Sequence, residues 1–166
     1  IGYFSYDHGR EKEKVESRHP KKLDIPDCIL VFYDCFIIED HQRHRLTLLS
    51  NDHGQDAASG MERLKQLVRQ AEKTPYVPMD TPPGRTCVTA DFTKEDYMAA
   101  VQRMIGYIIE GDIYIANMTQ QLQIASPMHP FEMFWRLRST NPSPFGGYLN
   151  YGDLQVVSAS PERFLQ

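Results

Sequence analysis

The stretch Asn141 to Phe164, NPSPFGGYLNYGDLQVVSASPERF, restricts the fold more than any other part of the chain. Pro142 and Pro144 each lock a φ angle, and their rings push Asn141 and Ser143 into extended geometry. The loop is therefore stiff before any tertiary contact forms. Phe145, Tyr148, Leu149, Leu154, Val156 and Val157 supply the aromatic and β-branched content of a hairpin with one buried face. The hairpin turns at Tyr151-Gly152-Asp153 and leaves through a rigid Ser160-Pro161 exit. A stiff loop feeding a sheet is a place to hold a small ligand, whose kind these residues leave open.

With 166 residues, 41% of them hydrophobic, the chain is long enough for one domain with a core. It begins at Ile1 inside a strand-like pattern and stops at Gln166 just after another, which predicts a piece of a longer protein. The net charge of -4, with both signs interspersed, lacks the electrostatic footprint of a nucleic-acid binder. Lys21-Lys22 and Arg43-His44-Arg45 read as solvated surface. No apolar run reaches membrane-spanning length and no signal peptide is visible, so a cytoplasmic protein without a membrane partner is expected. Cys28, Cys35 and Cys87 lack metal-site spacing and read as buried, reduced thiols. A single strand holding Cys28 and Cys35 would send them to opposite faces.

Along the chain, Ile1–Tyr6 predicts a strand ending at Asp7-His8-Gly9-Arg10, followed by a polar surface excursion to Lys22. Leu23–Glu39 contains the run CILVFYDCFIIE and predicts a central strand covered on both faces, with Leu46–Ser50 returning as its hairpin partner. Met61, Leu64, Leu67, Val68 and Ala71 recur at helical spacing. Four prolines between Thr74 and Gly84 predict an extended connector, with a short strand over Thr86–Ala90 beyond it. Thr93 is placed to cap a helix with Glu95 and Asp96 in its first turn, Phe92 and Tyr97 as a hydrophobic staple, and Gly111 as its stop. Ile113–Ile124 reads as a strand with Asn117, Thr119, Gln121 and Gln123 on one face. That face either receives ligand oxygens or meets solvent. His129-Pro130 opens a further helix bearing Phe131, Phe134, Trp135 and Leu137.

This order predicts an α+β fold, a layered sandwich of largely antiparallel sheets with outer helices. It also divides the chain into an N-terminal sheet and helix unit (1–74), a proline-rich connector and short strand (75–90), and the start of a ligand-binding domain (91–166).

Dinucleotide, phosphate-loop, zincin and hydrolase-elbow motifs are all missing from these residues. His8, His41, His44 and His53 sit in polar stretches and read as surface histidines. Glu162 reads as half of a local ion pair with Arg163.

Four segments carry a resemblance in the same order: IGYFSYDHGR (1–10), EDHQRHRLTLLS (39–50), GDIYIANMTQ (111–120) and the stretch 141–164. Together they resemble the chorismate-utilising enzymes, component I of anthranilate synthase and of aminodeoxychorismate synthase, with residues 39–50 most similar to the latter. The resemblance implies an excerpt of the anthranilate synthase component I-like fold. It also implies amination of chorismate with magnesium (Mg2+), using ammonia from a glutamine amidotransferase subunit. The product would be 4-amino-4-deoxychorismate, for 4-aminobenzoate and folate, or anthranilate, for tryptophan. The resemblance further implies a tryptophan pocket at Asn141, Pro142, Ser143, Pro144, Phe145 and Gly146, where anthranilate synthases usually carry methionine at the position of Gly146. Ile115 stands where water-adding relatives carry a lysine base and amino-transferring ones usually carry glutamine, so water-adding chemistry is disfavoured. The family's catalytic groups and magnesium ligands are expected beyond Gln166, so no catalytic residue and no metal ligand is expected within the chain, which alone should be inactive. A non-catalytic module that binds tryptophan or docks an amidotransferase is the alternative from another class.

Overall fold

The computed structural model describes residues 1–16, 23–51, 57–78 and 87–166. The fold is α+β: the described residues form four antiparallel ribbons of two strands each, and four helices. The chain divides into two compact units, one made of Ile1–Pro78 with Leu137–Gln166 and the other of Met79–Arg136.

In the first unit, β1 (Gly2–Phe4) pairs with β2 (Cys28–Leu30), and Tyr3 Oη donates to the Pro26 carbonyl at 2.7 Å. Between them the chain forms α1 (His8–Glu13), a six-residue helix in the segment expected to be an excursion. Ser5 starts it by accepting the His8 amide on its hydroxyl at 3.2 Å, and Lys14 ends it with φ 54°. A helix this short carries too few apolar positions to show a period, which is why its sequence reads as loop.

The expected central strand over Leu23–Glu39 is two strands in two ribbons. β2 stops at Leu30, and β3 (Cys35–Asp40) pairs in six-residue register with β4 (Arg45–Ser50). The apolar run breaks where Phe32, 92% exposed, swings into solvent. Continuous hydrophobicity cannot distinguish one strand from two with different partners. Cys28 and Cys35 therefore lie in separate ribbons. Nor is the segment covered on both faces, since Ile37 and Ile38 are exposed.

The β3–β4 turn is built by Asp40, whose Oδ1 accepts the amides of Gln42 (3.1 Å) and Arg43 (3.0 Å), while His44 takes the left-handed conformation at φ 49°. Against this ribbon packs α2 (Ala57–Lys73), anchored by Leu64, the one buried hydrophobic side chain among the described residues. Gly60 sets the approach: a Cβ there would stand 2.8 Å from Ser50 Oγ and 2.9 Å from Cys35 Sγ, so the missing side chain lets the helix lie close to the β3–β4 pair.

In the second unit, β5 (Val88–Ala90) pairs with β6 (Leu122–Ile124), and between them runs α3 (Lys94–Glu110). The cap of α3 is reciprocal. Thr93 Oγ1 accepts the Asp96 amide at 3.1 Å while its hydroxyl donates to Asp96 Oδ2 at 2.7 Å. Phe92 and Tyr97 meet edge to face at 6.0 Å, and Gly111 closes the helix at φ 85° with its amide on the Ile108 carbonyl. The strand expected over Ile113–Ile124 is confined to its last three residues. Among the described residues no strand pairs with 113–121, and alternation of side chains cannot make a ladder without a partner. Asn117, Thr119 and Gln123 are exposed and Gln121 is half-buried, its amide on Asp91 Oδ2 at 3.2 Å. Residues 79–84 of the proline-rich connector, Thr86, His53 and Lys21-Lys22 lie outside the described residues.

Because α3 has no fully buried residue, its cap carries an unusual share of its definition. Thr93→Ala should cost about 1 kcal/mol. The loss should be visible in hydrogen exchange as faster opening of the first two turns of α3, with α2 unaffected.

Candidate functional site

The proline loop is held at both ends by backbone hydrogen bonds. The preceding helix, α4 (Pro130–Thr140), starts with proline at its first position and with His129 Nδ1 accepting the Phe131 amide at 3.2 Å. It ends as the Asn141 amide reaches the Leu137 carbonyl at 2.8 Å. Ser143 to Gly146 then form a tight turn, with the Gly146 amide on the Ser143 carbonyl at 3.2 Å and Pro144 at the position where its fixed φ suits the turn. The Phe145 amide donates to the Ser160 carbonyl at 3.2 Å, fastening the loop to the chain just after the hairpin.

That hairpin is β7 (Gly147–Asn150) with β8 (Gln155–Ser158), registered from Gly147↔Ser158 to Asn150↔Gln155. Its turn falls where the residues place it. Gly152 adopts φ 85°, its amide donates to Asn150 Oδ1 at 3.1 Å, and Tyr151 N–H closes on the Leu154 carbonyl at 2.9 Å.

Four of the six loop residues, Ser143 to Gly146, thus form one turn at the mouth of β7, and Asn141 and Pro142 lead into it from α4. Asn141, Pro142, Pro144 and Phe145 are exposed, and Ser143 and Gly146 are half-buried. Gly146 is required by space: a Cβ would stand 2.9 Å from the Ser158 carbonyl oxygen, a backbone atom that cannot swing aside. The loop accordingly sits closer to the end of β8 than a residue with a side chain at this position permits.

Arg163 departs from expectation. Its guanidinium carbon lies 5.4 Å from the centroid of the Phe145 ring, and no ion pair with Glu162 forms. The guanidinium finds the aromatic face of Phe145 instead of the adjacent carboxylate.

Tyr151 was not singled out by its sequence beyond its place in the turn. Its hydroxyl is shut off from solvent without a hydrogen-bond partner, although the residue as a whole is only half-buried. The ring lies 6.0 Å from that of Tyr3. Burial raises the phenol pKa above its ordinary value, and negative charge on Tyr33 or Tyr3 would raise it further. Only the neighbouring strands reveal such an environment, so no local pattern announces it.

A separate open groove of about 400 Å³ is lined by Tyr6, Gly9, Arg10, Glu13 and Val15, and none of the proline-loop residues lines it. Within it Arg10 Nε pairs with Asp7 Oδ1 at 2.6 Å. Among the described residues no three His, Cys, Asp or Glu side chains converge as a metal site. No helix among the described residues is long and apolar enough to cross a membrane. Ile115, in the unpaired extended segment, is 71% exposed.

The sequence and the fold match known proteins. Residues 1–166 match the chorismate binding enzyme family over their whole length, and the chain belongs to that family. It is 36% identical over 167 residues to anthranilate synthase component 1 of Thermus thermophilus, covering 100% of this chain and 36% of that protein. It is 29% identical to aminodeoxychorismate synthase component 1 of Bacillus subtilis, covering 98% of this chain and 35% of that one. The crystal structure of anthranilate synthase component I from Streptococcus pneumoniae superposes with a TM-score of 0.77 at 21% identity, over 98% of this chain and 38% of that one. The chain thus spans about a third of the length of the curated relatives it matches.

The Tyr151 environment makes a signed prediction. A phenol held neutral by the fold, against an unfolded-state value of about 10, contributes fully below that pH. Stability is then lost as pH climbs from there through the higher folded-state value. Tyr151→Phe should leave neutral-pH stability unchanged or raise it by up to about 1 kcal/mol, since no hydrogen bond is lost. It should also shrink the alkaline loss, measured by urea denaturation at stepped pH.

Proposed function

We propose that this chain is the N-terminal and central part of an aminodeoxychorismate synthase component I. The full protein would aminate chorismate to 4-amino-4-deoxychorismate, with ammonia from a glutamine amidotransferase partner. The observation that carries the reading is membership of the chorismate binding enzyme family along the entire chain. In choosing among members, the aminodeoxychorismate reading draws on the likeness of residues 39–50 and on Gly146, which leaves no room for the methionine usual in anthranilate synthases. The 36% identity to the Thermus thermophilus protein favours a second reading, anthranilate synthase component I.

In either reading the groups that attack the ring belong to the remaining part of the protein. The residues of this chain contribute position. Asn141 to Gly146 form one wall of a pocket for tryptophan, kept rigid by two prolines and by the bond from Phe145 to Ser160. An isoleucine at position 115 has no proton to accept or give, so water-adding chemistry finds no base there. Magnesium would supply charge stabilisation on the substrate carboxylates, and its ligands are sought outside the described residues.

Incubating the full-length protein with chorismate, magnesium chloride and ammonium should yield 4-amino-4-deoxychorismate, identified by mass and by conversion to 4-aminobenzoate with a lyase. Anthranilate as the product would replace the first reading with the second, and isochorismate or salicylate would remove both. For the pocket, Pro144→Ala should weaken calorimetric tryptophan affinity roughly two- to five-fold, because the loop must then be ordered on binding. Unchanged affinity would mean that the proline does not prepare the site.

A further inference from the structure

Phe145 presents an aromatic ring that is 42% exposed, although its amide is fixed to the Ser160 carbonyl. The chain returns past Ser160, whose hydroxyl donates to the Glu162 carbonyl at 3.1 Å, and places the Arg163 guanidinium over that ring. Among the described residues Arg163 makes no ion pair, and the negative face of the ring is its partner. An exposed guanidinium held in this way has exchanged carboxylate or solvent contacts for an aromatic surface. That surface also belongs to the loop assigned above as a ligand wall. The same ring face would receive the flat side chain or the ammonium of an aromatic amino acid.

We propose that Arg163 acts as a built-in occupant of the Phe145 ring face, so that an aromatic amino acid enters the proline loop only after the guanidinium has swung away. The inference rests on the pocket reading of Asn141 to Gly146 and adds the contact that regulates it. The geometry suits a weak competitor. Both partners are exposed, so the contact is easily broken, and the loop backbone that carries the ring need not move because Phe145 and Gly146 are held by main-chain bonds. When a binding-competent state is only partly populated, apparent affinity falls by the populated fraction. For an exposed cation over a phenyl ring that fraction corresponds to about two- to five-fold.

The test is calorimetric titration of the full-length protein with tryptophan in wild type, Arg163→Gln and Arg163→Lys. Arg163→Gln should tighten binding by about two- to five-fold. Arg163→Lys should fall between the two, because an ammonium keeps the charge but loses the planar stack. In wild type, the Arg163 Nε–H signal in nitrogen-edited NMR should move as tryptophan is added, reporting departure from the ring current. If wild type binds tryptophan and Arg163→Gln binds equally, the competitor role is wrong while the pocket stands. Weaker binding by Arg163→Gln also overturns it, because Arg163 would then be a contact to the amino-acid carboxylate. If neither binds while circular dichroism shows both folded, the pocket reading fails and takes the competitor with it.

Discussion

Antiparallel closure within short ribbons is the constraint on which the rest of this structure depends. Among the described residues each of the eight strands has one partner, and β3 with β4 is the longest ladder at six residue pairs. Two-stranded ribbons are marginal by themselves in water, so their ends matter more than their middles. Those ends are closed by side-chain oxygens: Asp40 in the β3–β4 turn, Asn150 in the β7–β8 turn, and Asp91 where β5 meets the chain entering β6. With Leu64 the one buried hydrophobic residue among the described residues, elements here are defined by local backbone chemistry more than by a deep core.

That distribution explains what was legible in the residues. The start of α3 at Thr93, its staple, its stop at Gly111 and the hairpin turn at Gly152 are all short-range effects, readable from neighbours within a few positions. The stripe that includes Leu64 was likewise readable as a helix. What failed was partner choice. Leu23–Glu39 has the composition of a strand throughout, but nothing in it says that Cys28 pairs towards β1 and Cys35 towards β4. Ile113–Gln121 has strand alternation and no ladder among the described residues. Helix α1 escaped notice because six residues are too few to show a period.

The same split runs through the candidate site. Two prolines announced the stiffness of the loop, and the backbone bonds from Asn141, Phe145 and Gly146 give that stiffness its anchor points. The need for glycine at 146 is a steric relation to Ser158 and could not be seen locally. The place of Arg163 over Phe145 required knowing that the chain doubles back, and the adjacent Glu162 suggested a different partner. Family membership accounts for the order of the segments.

The contact of Tyr3 with Tyr151 joins β1 to the last hairpin within the first compact unit, whereas the second unit, Met79–Arg136, occupies the chain between. The first unit is therefore discontinuous in sequence. A ribosome releases the chain from its N-terminus, so β1, β2 and α2 emerge well before the hairpin that completes their unit. The whole of the second unit is synthesised in that interval. During it the ring of Tyr3 lacks its later neighbour, and the segment bearing the proline loop follows only after the second unit.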